Sequence, residues 1–89
     1  MQTLCYIVRG KVQGVGFRYF VHGVAQTMGV AGTVENLSDG SVRIYACLDE
    51  ADQATFKARV AAGPPLSRVD EIEERKVQAH AFEGFRIVG

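Results

Sequence analysis

The stretch KVQGVGFR, Lys11 to Arg18, holds the residues best suited to chemistry. Gly14 and Gly16 stand two positions apart among apolar residues, and Arg18 follows two positions later. Paired glycines let the backbone turn so that successive N–H groups point inward and form a nest for an anion. A helix starting just after them would add N–H groups without partners and the positive end of its dipole. Arg18 would then lie in the first helical turn, where its planar guanidinium can grip two oxygens of one phosphate. On this reading the backbone of Gln13, Gly14, Val15, Gly16 and Phe17, together with Arg18, forms a phosphate cradle. The competing reading is a plain strand-to-helix turn with a solvated arginine. The stretch is not a standard nucleotide loop. Val15 stands where a Walker loop needs its second glycine, and Tyr19 where a dinucleotide fingerprint needs its third.

Other reactive residue types are weaker candidates. His22 lies four residues after Arg18, on about the same helix face. It reads as a partly exposed helix residue rather than a general base, because the sequence places no acidic partner beside it. His80 falls in a loop and is expected to be solvated. Arg9 and Lys11 read as surface charges, and Tyr6, Tyr19 and Tyr45 as packing residues with a polar tip. The acids of Asp49 to Asp52 read as helix N-terminal charge rather than a metal site. The two cysteines, Cys5 and Cys47, have neither C-x-x-C spacing nor companion histidines, so no metal site is expected.

The elements that must position the glycine stretch follow from periodicity. LCYIVRG (Leu4 to Gly10) alternates as a strand, with Leu4, Tyr6 and Val8 on one face and Cys5, Ile7 and Arg9 on the other. Phe17, Val21, Val24, Ala25 and Met28 fall at helical spacing, and Gly29 stops the helix. VAGTVEN reads as a second strand, SDG as a hairpin turn, and SVRIYACL as a third strand. Asp49 to Ala62 reads as a second helix ended by GPP, SRVDEIEERKV as a charged strand near an edge, and FRIV as a short closing strand. The order β-α-β-β-α-β is the ferredoxin-like split βαβ plan of the α+β class. It predicts an antiparallel sheet ordered 4-1-3-2 plus a short fifth strand, with two helices on one face. That order places Cys5 and Cys47 side by side on the face away from the helices, where a disulfide is conceivable.

Composition sets the frame. The 89 residues fit one domain spanning 1–89, and 47% apolar content suffices for a compact core. Ten basic and ten acidic side chains cancel, which argues against a nucleic-acid partner held by bulk electrostatics. No run approaches the roughly 18 apolar residues of a membrane span, and the N-terminus lacks a signal-peptide stretch. A cytoplasmic monomer with no membrane partner is the expectation.

GKVQGVGFR together with GTVENLSDGSV (Gly32 to Val42) resembles the acylphosphatase family in motif order and separation. The resemblance covers the whole chain and implies hydrolysis of the carboxyl–phosphate mixed anhydride of small acyl phosphates, yielding a carboxylate and inorganic phosphate without metal or cofactor. By motif position, it also implies a phosphate-binding role for Arg18 and a water-orienting role for Asn36. The second motif departs from the commoner pattern. Thr33 stands where an aromatic is usual, and Glu35 and Arg43 where basic and acidic residues are common. The two charges look exchanged across the hairpin, which would preserve a cross-strand pair.

The chemistry is plausible on the residues themselves. An acyl phosphate already carries a good leaving group, so the protein needs to neutralise phosphoryl charge and aim a water in line. Arg18 and the nest suit the first task, and a side-chain amide suits the second. In the split βαβ plan the first two strands are parallel, so their C-terminal ends share one edge and Arg18 and Asn36 can converge. Two rivals remain. One is a non-catalytic phosphate- or carbamoyl-phosphate-binding module, as fused to larger maturation proteins; with no linker after Gly89, a free-standing enzyme is expected instead. The other is an RNA-binding domain of the same plan. Against the latter, GVGFRYF falls at a helix start rather than on a central strand.

Overall fold

The computed structural model describes residues 1–78 and 81–89. His80 lies outside the described residues. The elements run β1 (Gln2–Lys11), α1 (Phe17–Met28), β2 (Ala31–Asn36), β3 (Val42–Leu48), α2 (Glu50–Ala62), β4 (Arg68–Val77) and β5 (Phe85–Ile87). They form one five-stranded sheet ordered β4-β1-β3-β2-β5. The first four strands are antiparallel neighbours in the order the sequence predicts. β5 corrects the expectation of a wholly antiparallel sheet, because it pairs in parallel with β2 and makes the sheet mixed. Direction explains this. β4 runs opposite to β1 and so ends where β2 begins. The chain re-enters the sheet from that end and runs alongside β2, carrying Gly89 towards the end of β2 that bears Asn36.

Alternation decides which side chains face the helices. Leu4, Tyr6 and Val8 of β1, Val34 of β2, and Val42, Ile44, Ala46 and Leu48 of β3 are buried against Phe17, Val21 and Ala25 of α1 and Phe56 and Val60 of α2. Each large side chain so buried contributes roughly 1.5–3 kcal/mol. Tyr6 and Phe56 pack ring to ring with centroids 5.8 Å apart, and burial raises the Tyr6 phenol above its ordinary pKa. α1 closes with a Schellman motif: the Val30 N–H donates to the Ala25 carbonyl at 2.8 Å and the Gly29 N–H to Gln26 at 3.2 Å. This stop fixes where β2 starts, and hence where Asn36 ends it.

The opposite sheet face is more polar. Arg9 pairs there with Glu71 and Glu73 of β4, at 3.5 and 3.2 Å. The exchanged charges do form a cross-strand pair: the Arg43 Nε donates to Glu35 Oε1 at 3.0 Å, and its Nη2 to the same oxygen. The Arg43 guanidinium also lies 5.3 Å above the Tyr45 ring. Cys5 and Cys47 share this face but are not side by side. The register sets Cys5 opposite Tyr45, and Cys47 opposite Thr3. Such diagonal positions stand roughly 7–8 Å apart, at or beyond the limit of about 7 Å for a bridge without backbone movement. Both remain thiols, with the Cys47 Sγ 3.3 Å from Thr3 Oγ1.

Candidate active site

The glycine stretch folds as its residue types require. Gly14 and Gly16 adopt φ values of 74° and 78°, in the left-handed region, while Val15 between them does not. An added Cβ would meet nothing within 4 Å at either position, so backbone conformation rather than space selects glycine there. Alternation of this kind curls successive N–H groups towards one point. Gly16 caps α1 without any side-chain hydrogen bond, and the first helical bond runs from the Phe20 N–H to the Gly16 carbonyl at 3.0 Å. The N–H groups ahead of it precede the helical ladder. Phe17 is fully buried and pins the helix start to the core, which leaves Arg18 beside the nest and partly exposed.

The second motif approaches from β2. Asn36 is its last residue and pairs with Val42 across the hairpin. The Arg18 Nη1 donates to the Gly89 backbone oxygen at 2.7 Å, and the Asn36 N–H donates to that same oxygen at 3.2 Å. One oxygen thus draws donors from both motifs. The Asn36 side-chain Oδ1 is buried and has no hydrogen-bond partner among the described residues. A buried acceptor without a donor costs about 1–3 kcal/mol, so such groups call for a reason.

The hairpin behind Asn36 is tightly tied. The Leu37 N–H donates to the Ser41 carbonyl at 2.8 Å and the Gly40 N–H to the Leu37 carbonyl at 3.2 Å. Asp39 Oδ1 accepts from the Ser41 hydroxyl at 2.5 Å and from its N–H at 2.9 Å. These bonds from Ser41 hold the Asp39 carboxyl below the ordinary carboxylate range.

The acylphosphatase family model matches residues 4–87. The chain belongs to the acylphosphatase family. An acylphosphatase from Archaeoglobus fulgidus is 45% identical over 87 residues, covering 98% of both chains. The crystal structure of acylphosphatase from Bacillus subtilis superimposes with a TM-score of 0.94 at 39% identity, covering 100% of each chain. A structure of full-length HypF in a phosphate- and nucleotide-bound form also matches, with a TM-score of 0.91 and 37% identity. There the match spans 99% of this chain but 12% of the other.

Within this acylphosphatase fold, the sequence-derived candidates separate into two groups. Arg18, Asn36 and the loop from Gln13 to Phe17 gather at one end of the sheet. His22 turns away and sets its ring edge-on against Phe85 at 6.1 Å, as a packing residue. Arg9 is engaged with β4, and Lys11 is exposed. Tyr19 is 75% exposed on the first turn of α1. Among the described residues, no group of three or more His, Cys, Asp or Glu side chains converges. Sequence reasoning missed Gly89, whose contribution is a backbone oxygen with no signal in residue type. It also missed the direction of the Gln13 side chain, which turns towards the hairpin.

Proposed function

We propose that this chain hydrolyses small acyl phosphates without metal, with Arg18 and the nest holding the phosphoryl group and Asn36 placing the attacking water. The observation that carries the reading is the shared oxygen. Arg18 and the Asn36 N–H both donate to Gly89, so a phosphoryl oxygen in that neighbourhood falls within reach of both motifs. The Asn36 Oδ1 supports the second role, because it accepts no hydrogen bond from the described residues and a carboxamide oxygen can accept one from a water.

The mechanism needs little more. The nest and the guanidinium stabilise charge on the equatorial oxygens, in fixed positions that cost no reorganisation during reaction. The amide aims the water in line with the departing carboxylate. An amide is a weak base, so the water's proton passes to the phosphoryl group as the P–O bond to the carboxylate breaks.

Turnover of a simple acyl phosphate in the presence of a chelator tests the proposal. Hydrolysis with inorganic phosphate as a competitive inhibitor is expected. Phosphate binding without turnover would favour the binding-module reading suggested by the likeness to HypF. Activity lost to chelator and restored by Mg²⁺ would contradict metal independence.

A further inference from the structure

We infer that Gln13 is a positioning residue whose side-chain amide sets Asn36 against the phosphate cradle. The inference rests on the role proposed above for Asn36. The sheet brings the two motifs to the same end but leaves a gap between them, because β3 lies between β1 and β2. Two strand spacings separate them, about 10 Å. Gln13 crosses that gap. Its Nε2 donates to the Leu37 carbonyl at 2.9 Å and to the Ser41 carbonyl at 2.9 Å.

The placement of these two bonds matters. Leu37 directly follows Asn36, and Ser41 directly precedes Val42, the cross-strand partner of Asn36. Gln13 directly precedes Gly14. One carboxamide therefore joins the first residue of the cradle to both sides of the hairpin that ends in Asn36. The fit is specific in chemistry and in length. The NH₂ group has two donors, and it meets two carbonyls. Asparagine is one methylene shorter, glutamate has no donor at neutral pH, and an apolar side chain offers neither carbonyl a partner. With its NH₂ occupied by the hairpin, the Gln13 side chain serves geometry rather than phosphate binding.

Displacement of a reacting group by about 1 Å can cost up to roughly 10²-fold in rate. The test is a double-mutant cycle with Gln13→Met, which keeps length and lacks donors, and Asn36→Ala. Steady-state hydrolysis of benzoyl phosphate and inhibition by inorganic phosphate are measured for all four proteins. Gln13→Met alone is expected to lower kcat about 10- to 100-fold, with the phosphate inhibition constant changed by less than about threefold. In the Asn36→Ala background the same substitution is expected to change kcat by less than about twofold, since Gln13 acts through Asn36. Equal losses in both backgrounds, or a phosphate constant that rises in step with the loss of kcat, would overturn the role of Gln13 and leave that of Asn36 standing. Full activity in Asn36→Ala alone would overturn the Asn36 reading, and this inference with it. Should Gln13→Met fail to fold, the wild-type protein supplies the answer by NMR. The two Gln13 side-chain amide protons should exchange with solvent more slowly than those of an exposed glutamine, and exchange at the exposed rate would overturn the clamp.

Discussion

At the scale of single residues, the account depends on geometry more than on charge. Arg18 reaches the shared oxygen through one arm of a planar fork. Lysine at that position keeps the charge but presents a point donor on a flexible stem. Arg18→Lys is expected to lose most activity, at least about tenfold in kcat/KM, as when one preorganised donor is removed. Steady-state kinetics on the folded variant checks this, and near-normal turnover would remove Arg18 from the clamp. A second residue-scale expectation concerns Cys5. Burial pushes its thiol above the ordinary range, and only 5% of the residue is exposed. Since the thiolate is the reactive form, alkylation of the folded protein near pH 7.5 should leave Cys5 unmodified until denaturant is added. Peptide mapping by mass spectrometry reads this out, and rapid labelling of Cys5 in the folded protein would show the buried environment to be wrong.

At the scale of elements, two glycines on either side of Arg18 make opposite predictions. Gly14 holds a left-handed φ, so Gly14→Ala should destabilise by roughly 1–2 kcal/mol through backbone strain, and weaken phosphate binding. Gly23 lies inside α1 with an ordinary φ and open space around it, so Gly23→Ala should stabilise by about 0.5–1 kcal/mol. Urea denaturation of both variants measures the pair, and shifts of the same sign would contradict it. The hairpin carries a pH expectation. Asp39 has a lowered pKa in the folded state, so its stabilisation is present above the unfolded value of about 3.9 and fades as pH falls through the lower folded value. The stability gap between wild type and Asp39→Asn should therefore narrow in acid, and a gap that widens would reverse the sign. Much of this level was legible in the sequence. Val21, Val24 and Ala25 announced α1 by spacing, and the two glycines announced the nest because few other residues tolerate that backbone. The register of β1 on β3 was not legible. Periodicity fixes which face a cysteine occupies, but not which residue stands opposite, and a two-residue offset in register separates side-by-side cysteines from the diagonal pair.

At the scale of the whole molecule, strand direction assembles the site. The split βαβ order makes β1 and β2 parallel, so the loop after β1 and the last residue of β2 meet at one end of the sheet. The parallel β5 then carries Gly89 to the same end, a consequence of strand direction rather than of any local motif. The sequence could place Arg18 and Asn36 together by topology, but not Gly89 or the Gln13 amide, because those contacts depend on how the chain returns across the sheet. The central claim is a division of labour, with binding by Arg18 and the nest and water placement by Asn36. Asn36→Ala tests it most directly, by comparing kcat for an acyl phosphate with the inhibition constant of inorganic phosphate. Removing one preorganised hydrogen-bonding group is expected to lower kcat by at least about 10²-fold, with phosphate inhibition retained within about threefold. A variant that keeps its kcat but binds phosphate poorly would contradict the account.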